Sequence, residues 1–152
     1  MKVLLQRVSR ASVRVRGVAV ASIGRGVLAL VGVESGDSDR DAEYLADKTA
    51  ELRIFPDEED RMNLGLIEAG GEALVVSQFT LASSTRRGRR PSFSAAAPPP
   101  EAERLYRVFV GRLSARGVRV ATGRFQERME VDLVNDGPVT ILLDPPPAPS
   151  AG

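Results

Sequence analysis

Val27–Val33 (VLALVGV) is an unbroken apolar run of strand length, set between the turn residues Gly24-Arg25-Gly26 and Ser35-Gly36-Asp37-Ser38. Such a run reads as a continuous strand of a sheet, and Ala73–Leu81, after Gly70-Gly71, reads as a second buried strand. Between them Ala42, Leu45, Ala46, Thr49 and Leu52 fall on one face at helical spacing. That spacing predicts a helix over 39–53, opened by Ser38 with Asp41 at capping-box distance. A second helix follows Pro98-Pro99-Pro100. Its stripe is Ala102, Leu105, Tyr106, Phe109, Val110 and Leu113, and Gly117 supplies the stop.

The remaining segments fill in a sheet. Val3, Leu5, Val13 and Val15 suggest paired strands at the start, with Gly17 near a turn, followed by a strand over Val18–Ile23. Pro56–Arg61 reads as a polar loop, Leu64–Ile67 as a short strand and residues 82–97 as a long loop. Val118–Ala121, Met129–Val134 and Val139–Leu143 read as strands, the last two separated by the turn Asn135-Asp136-Gly137-Pro138. The expected architecture is one α/β domain over residues 1–144 with about seven strands and two helices. A Pro/Ala/Ser tail over residues 145–152 is expected to be disordered.

Composition narrows the chemistry. The chain of 152 residues contains no Cys and no His. Disulfides, thiolate nucleophiles, Ser-His-Asp and Cys-His arrangements and the usual zinc sites are therefore excluded. No carboxylate cluster suggests another metal, so neither metal nor cofactor is expected. Hydrophobic content of 43% and charged content of 27% are those of a soluble globular protein. Aromatics are only 5%, so Val, Leu, Ile and Ala must build the core. Arg and Gln interrupt the N-terminal MKVLLQRVSRASVRV too often for a signal peptide or a membrane span, and a cytoplasmic protein is expected. A net charge of +1 gives no global steering toward nucleic acid, although Arg86, Arg87, Arg89 and Arg90 cluster around one Gly. By itself that cluster is either a solvated loop or a phosphate contact.

Two motifs carry candidate chemistry. Ser77-Gln78-Phe79-Thr80-Leu81 ends a buried strand with hydrogen-bonding side chains, which either cap the sheet or line a site outside it. Asn135–Thr140 (NDGPVT) is either a plain turn or a place where glycine admits a close backbone or ligand.

Together these motifs resemble the two signatures of the D-aminoacyl-tRNA deacylase (D-tyrosyl-tRNA deacylase) family. The resemblance runs from Met1 to about Asp144 and includes MKVLLQRVS, Arg53-Ile54-Phe55, Met62-Asn63-Leu64, Arg90-Pro91-Ser92-Phe93 and Thr122-Gly123-Arg124-Phe125. Two places depart from it. Gln126-Glu127 stands where the family often has Gly-Ala, and the Arg86–Arg90 loop is richer in arginine than usual.

The resemblance implies a three-layer β/β/α homodimer that hydrolyses the ester of D-aminoacyl-tRNA and rejects L-amino acids. It implies a cis Gly137-Pro138 bond reaching toward Ser77, Gln78, Phe79 and Thr80 of the other subunit. In that setting Thr80 is expected to orient a water or the ribose 2′-hydroxyl, since no His is present to activate it. Backbone N–H groups near Gln78–Thr80 would hold the oxyanion. Selection by clash cannot reject glycine, so glycyl-tRNA mischarged on tRNA-Ala is an expected substrate. Arg86, Arg87, Arg89 and Arg90 then read as tRNA contacts. The rival readings are a non-catalytic nucleic-acid-binding module and a different small-ester or amide hydrolase.

Overall fold

The computed structural model describes every residue, Met1–Gly152. The elements in order are β1 (Lys2–Val15), β2 (Val18–Ile23), β3 (Gly26–Gly32), α1 (Asp39–Glu51), β4 (Phe55–Pro56) and β5 (Met62–Leu64). They are followed by β6 (Glu72–Ser77), a 3-10 turn (Phe79–Ala82), α2 (Pro99–Ala115), β7 (Val120–Thr122) and β8 (Glu130–Leu143).

β1 organises the sheet. Along one edge its first half pairs antiparallel with β3 and its second half with β2, while β8 pairs antiparallel along the other edge. From β3 the sheet continues through β6 and β7 in parallel. β3 thus has a strand on each side and a packed residue on each face, which is what its unbroken apolar run requires.

Two cores form because β1 changes face. Val3 and Leu5 join Val31, Val75, Leu45 and Phe109 in the core beneath the helices. Val8, Ala11 and Val13 instead join Ile23, Leu28 and Leu74 on the opposite side of the sheet. Register shifts against β8 between Gln6 and Val8, and again between Val8 and Arg10, supply the change of phase. The strand curls over, giving helices, sheet and folded-over sheet as three layers. The fully buried Leu and Val side chains each contribute about 1.5–3 kcal/mol.

α1 carries the capping box at Ser38 and Asp41, with both reciprocal bonds present. It ends at Glu51 because Leu52 turns extended at ψ 126°. α1 meets α2 through Leu45, Leu105 and Phe109 and through ion pairs of Asp47 with Arg112 and Arg116, both at 2.9 Å. The Arg112 guanidinium, with Arg116, holds the Asp47 carboxyl below the usual carboxylate range.

Several sequence boundaries need correction. The paired strands expected at the start are one strand of 14 residues, because the register shifts keep Val13 and Val15 buried on the far side. The short strand lies at Met62–Leu64 rather than Leu64–Ile67, which leaves Leu66 free to plug the main core. The strand over Val118–Ala121 begins two residues later, at Val120, since Val118 anchors in the core after α2. Met129–Val134 and Val139–Leu143 are two ends of one strand, β8, with an excursion between them. The strand expected over Ala73–Leu81 stops at Ser77. Pro145–Gly152 form no helix or strand.

Candidate active site

β3 and β6 run parallel, and an open crevice lies outside their carboxyl ends, where ligands of parallel sheets commonly sit. Its floor is Val33, Val76 and Ser77, and its volume is about 580 Å³. Gln78 turns the chain at φ −140°, ψ 81°, while its N–H still reaches the Val31 carbonyl at 2.7 Å. The next residues wind into the 3-10 turn, which folds back over the end of β3.

Gly32 makes that fold-back possible. A Cβ there would lie 2.8 Å from Leu81 Cβ and 2.9 Å from the Gln78 carbonyl oxygen. The strand therefore yields to a turn because glycine at the end of β3 leaves room for one. The opening N–H groups of such a turn, here Phe79 and Thr80, have no partner inside it. Gln78 Nε2 donates to the Thr80 hydroxyl.

The cleft takes Ser77, Gln78 and Phe79 from this segment. Thr80 is half-buried immediately behind them and is not part of the lining. Phe93 meets Phe79 edge-on at 5.1 Å, and the two rings are 38% and 57% exposed, an aromatic lip. Another wall comes from Phe125, Gln126, Glu127 and Met129. Gln126 takes φ +64°, and the Glu127 N–H closes a turn onto the Arg124 carbonyl at 3.3 Å. Glu127 is the only acidic residue of the lining, and its Oε2 is buried without a hydrogen-bond partner. Behind the cleft, Tyr106 donates its hydroxyl to the Val75 carbonyl at 2.8 Å. Burial pushes that phenol up to about 12.

Gly137 and Pro138 lie elsewhere on the chain. Asn135 pairs with Val8 and Thr140 with Gln6, so residues 136–139 leave the β1–β8 ladder as an excursion. The Asn135 side chain closes its base, donating to Thr140 Oγ1 at 2.9 Å and accepting from the Val139 N–H at 3.1 Å. The Gly137-Pro138 bond is cis, with Gly137 at φ +129°, and both residues are exposed. Arg7 braces the excursion. Its Nε donates to the Asp136 carbonyl at 3.1 Å and its Nη1 to the Ile54 carbonyl at 2.6 Å.

Of the expected site residues, the structure brings Ser77, Gln78 and Phe79 into one cleft with Thr80 behind them. It does not bring Gly137 and Pro138 into that cleft on the same chain. Arg86, Arg87, Arg89 and Arg90 stand exposed on a loop closed by the Ser84–Ser92 backbone bonds. Sequence reasoning missed Arg7, which nothing local separates from Lys2, Arg10 and Arg14 on the same strand. It also missed Phe125, Glu127 and Met129 as cleft walls, since their spacing resembles an ordinary strand entry.

Fold and cleft together define an α/β protein whose site opens at the ends of a parallel strand pair. Residues 4–144 match the family of D-Tyr-tRNA(Tyr) deacylases, and the chain belongs to that family. It is 61% identical over 144 residues to a D-aminoacyl-tRNA deacylase of Roseiflexus sp. (strain RS-1), covering 95% of this chain and 93% of that one. Among solved structures it resembles the c-Myc DNA Unwinding Element Binding Protein at 38% identity and a TM-score of 0.90, covering 97% of this chain and 100% of that one. A probable eukaryotic D-amino acid tRNA deacylase shares the fold at 22% identity and a TM-score of 0.80, covering 93% and 97% of the two chains. No helix is long and apolar enough to cross a membrane.

Proposed function

We propose that this chain hydrolyses the ester joining a D-amino acid to the terminal ribose of tRNA, as a cytoplasmic homodimer that needs neither metal nor cofactor. The observation that carries this reading is the cleft on Ser77–Phe79, considered with the family to which the chain belongs. The unpaired N–H groups that open the 3-10 turn are suited to the oxyanion formed as the ester is attacked. Thr80, tied to Gln78, orients the attacking group, which is a water or the ribose 2′-hydroxyl.

The exposed Gly137-Pro138 excursion stands apart from its own cleft, as a group serving a partner's cleft would. β8 favours a partner on this side. It has only β1 as a neighbour, and its inward residues Val131, Leu133, Val139 and Ile141 are only half-buried. Backbone groups of Gly137 and Pro138 would hold the amino acid so that an L side chain clashes and a D side chain points outward. Glycine has nothing to clash, so glycyl-tRNA mischarged on tRNA-Ala is a substrate of the same site.

The test is to incubate the protein with D-tyrosyl-, L-tyrosyl- and glycyl-tRNA, before and after exhaustive EDTA treatment with prefolded tRNA. Loss of the D-tyrosyl and glycyl esters, with the L-ester spared and EDTA without effect, is expected. Equal hydrolysis of both enantiomers defeats the reading. One rival has a specific motive, since a structural neighbour is named for binding a DNA unwinding element. A non-catalytic nucleic-acid-binding module would bind bare and aminoacylated tRNA alike and release no amino acid.

A further inference from the structure

The arginines along α2 and at its C-terminal end are paired. Arg104, Arg107 and Arg112 of α2, and Arg116 just after it, all contact carboxylates. The arginines flanking the cleft are not. Arg124 and Arg128 are exposed and form no ion pair, although Glu127 lies between them in sequence. The Glu127 carboxylate bends into the cleft wall instead, with Oε2 buried, and leaves both charges uncompensated.

The turn from Arg124 to Glu127 fixes where these charges stand. Phe125, Gln126 and Glu127 line the cleft, and Arg124 and Arg128 flank them on either side. A tRNA whose terminal ribose sits in the cleft must lead its preceding phosphates out across one of the cleft's walls. Guanidinium groups left without carboxylates on either side of the Phe125–Glu127 wall are the natural phosphate ligands.

We propose that Arg124 and Arg128 bind the phosphates of the unpaired nucleotides immediately before the esterified ribose. The Arg86–Arg90 loop, closed off beyond Ser84 and Ser92, takes phosphates farther along the stem. The inference rests on the tRNA-ester reading and adds to it a path for the strand.

The experiment measures binding of two probes at several salt concentrations. One is a trinucleotide CCA carrying an amide-linked D-alanine at its 3′ end, and the other is a tRNA with the same amide. For a single strand, each phosphate contact adds about 0.7 to the slope of log affinity against log salt. Arg124→Ala and Arg128→Ala should each flatten the trinucleotide slope by about that amount, and Arg→Lys at either position should restore it. Arg16→Ala and Arg40→Ala, at exposed unpaired arginines elsewhere, should leave it unchanged. Replacing Arg86, Arg87, Arg89 and Arg90 should flatten the tRNA slope and spare the trinucleotide.

The exposed single substitutions Arg124→Gln and Arg128→Gln supply a second set of folded variants, confirmed by thermal melts. Unchanged trinucleotide slopes overturn the proposal, as does a loss confined to full-length tRNA. Heparin binding that responds to Arg124, Arg128, Arg16 and Arg40 equally marks a general polyanion surface and also overturns it. If the wild type hydrolyses D-aminoacyl-tRNA while the Arg124 and Arg128 variants keep the wild-type slope, the strand path alone is wrong. If it hydrolyses nothing, the deacylase reading fails with it.

Discussion

Gly137 is both closely surrounded and held at a positive φ. An added Cβ would meet Val139 Cγ2 at 2.9 Å and Arg7 Nη2 at 3.0 Å, and φ +129° is unfavourable to an L side chain. Gly137→Ala should lower stability by about 1–3 kcal/mol, the usual cost of a strained backbone position. Because the methyl also pushes on Arg7, the excursion shifts, and D-aminoacyl ester hydrolysis should fall about tenfold or more, a displacement worth about 1.4 kcal/mol in the transition state. Comparing denaturant unfolding with single-turnover hydrolysis checks this, and full activity in a destabilised protein contradicts it. At this scale the sequence showed the Gly-Pro step but not its brace. Arg7 is one side chain from a strand 129 positions earlier, and nothing local to either segment links them.

Elements were legible where periodicity or capping is local. The capping box of α1 and the stripe of α2 appear where Ser38, Asp41 and the Leu105–Leu113 spacing put them. The end of β6 was not legible, because the 3-10 turn depends on space left by Gly32 on a different strand. The same strand depends on α2 through Tyr106. The Val75 carbonyl accepts from both the Tyr106 hydroxyl and the Gly123 N–H, so it keeps one donor when the phenol is removed. Tyr106→Phe should therefore cost only about 0.5–1.5 kcal/mol at neutral pH. The raised phenol has a pH consequence of definite sign. The fold favours the neutral form, so its contribution is intact below 10 and is lost as pH rises toward about 12. Chemical denaturation at alkaline pH should show a decline through that window in the wild type and a smaller one in Tyr106→Phe. Identical pH profiles would place the decline in some other group.

For the molecule as a whole, the α/β class and the two helices follow from the apolar run Val27–Val33 and the two amphipathic stretches. The curl that makes two cores does not, because register shifts in β1 leave no mark beyond a broken alternation at Ser9-Arg10. The proposed dimer has a prediction of its own. Gly137→Ala chains keep an intact Ser77–Thr80 segment, and Thr80→Ala chains keep an intact Gly137-Pro138 excursion. If each cleft is completed by a partner, random exchange between them restores about a quarter of the wild-type sites. Hydrolysis after mixing should exceed the average of the two variants measured alone. Proven subunit exchange with no gain would defeat the shared site.

Because β1 pairs with β8 along nearly its whole length, an early strand of this domain waits on the ribosome for a late one. Val3 pairs with Val31 on one side but gains its second neighbour only in Leu143, and until then an edge rich in Val and Leu stays open to other chains. Closing so long a loop is entropically slow. A message cut short before codon 130 thus encodes no smaller catalyst. It encodes a sheet with a raw edge, fit for chaperone capture or degradation, and the synthesis of β8 decides whether all the work before it becomes a folded domain.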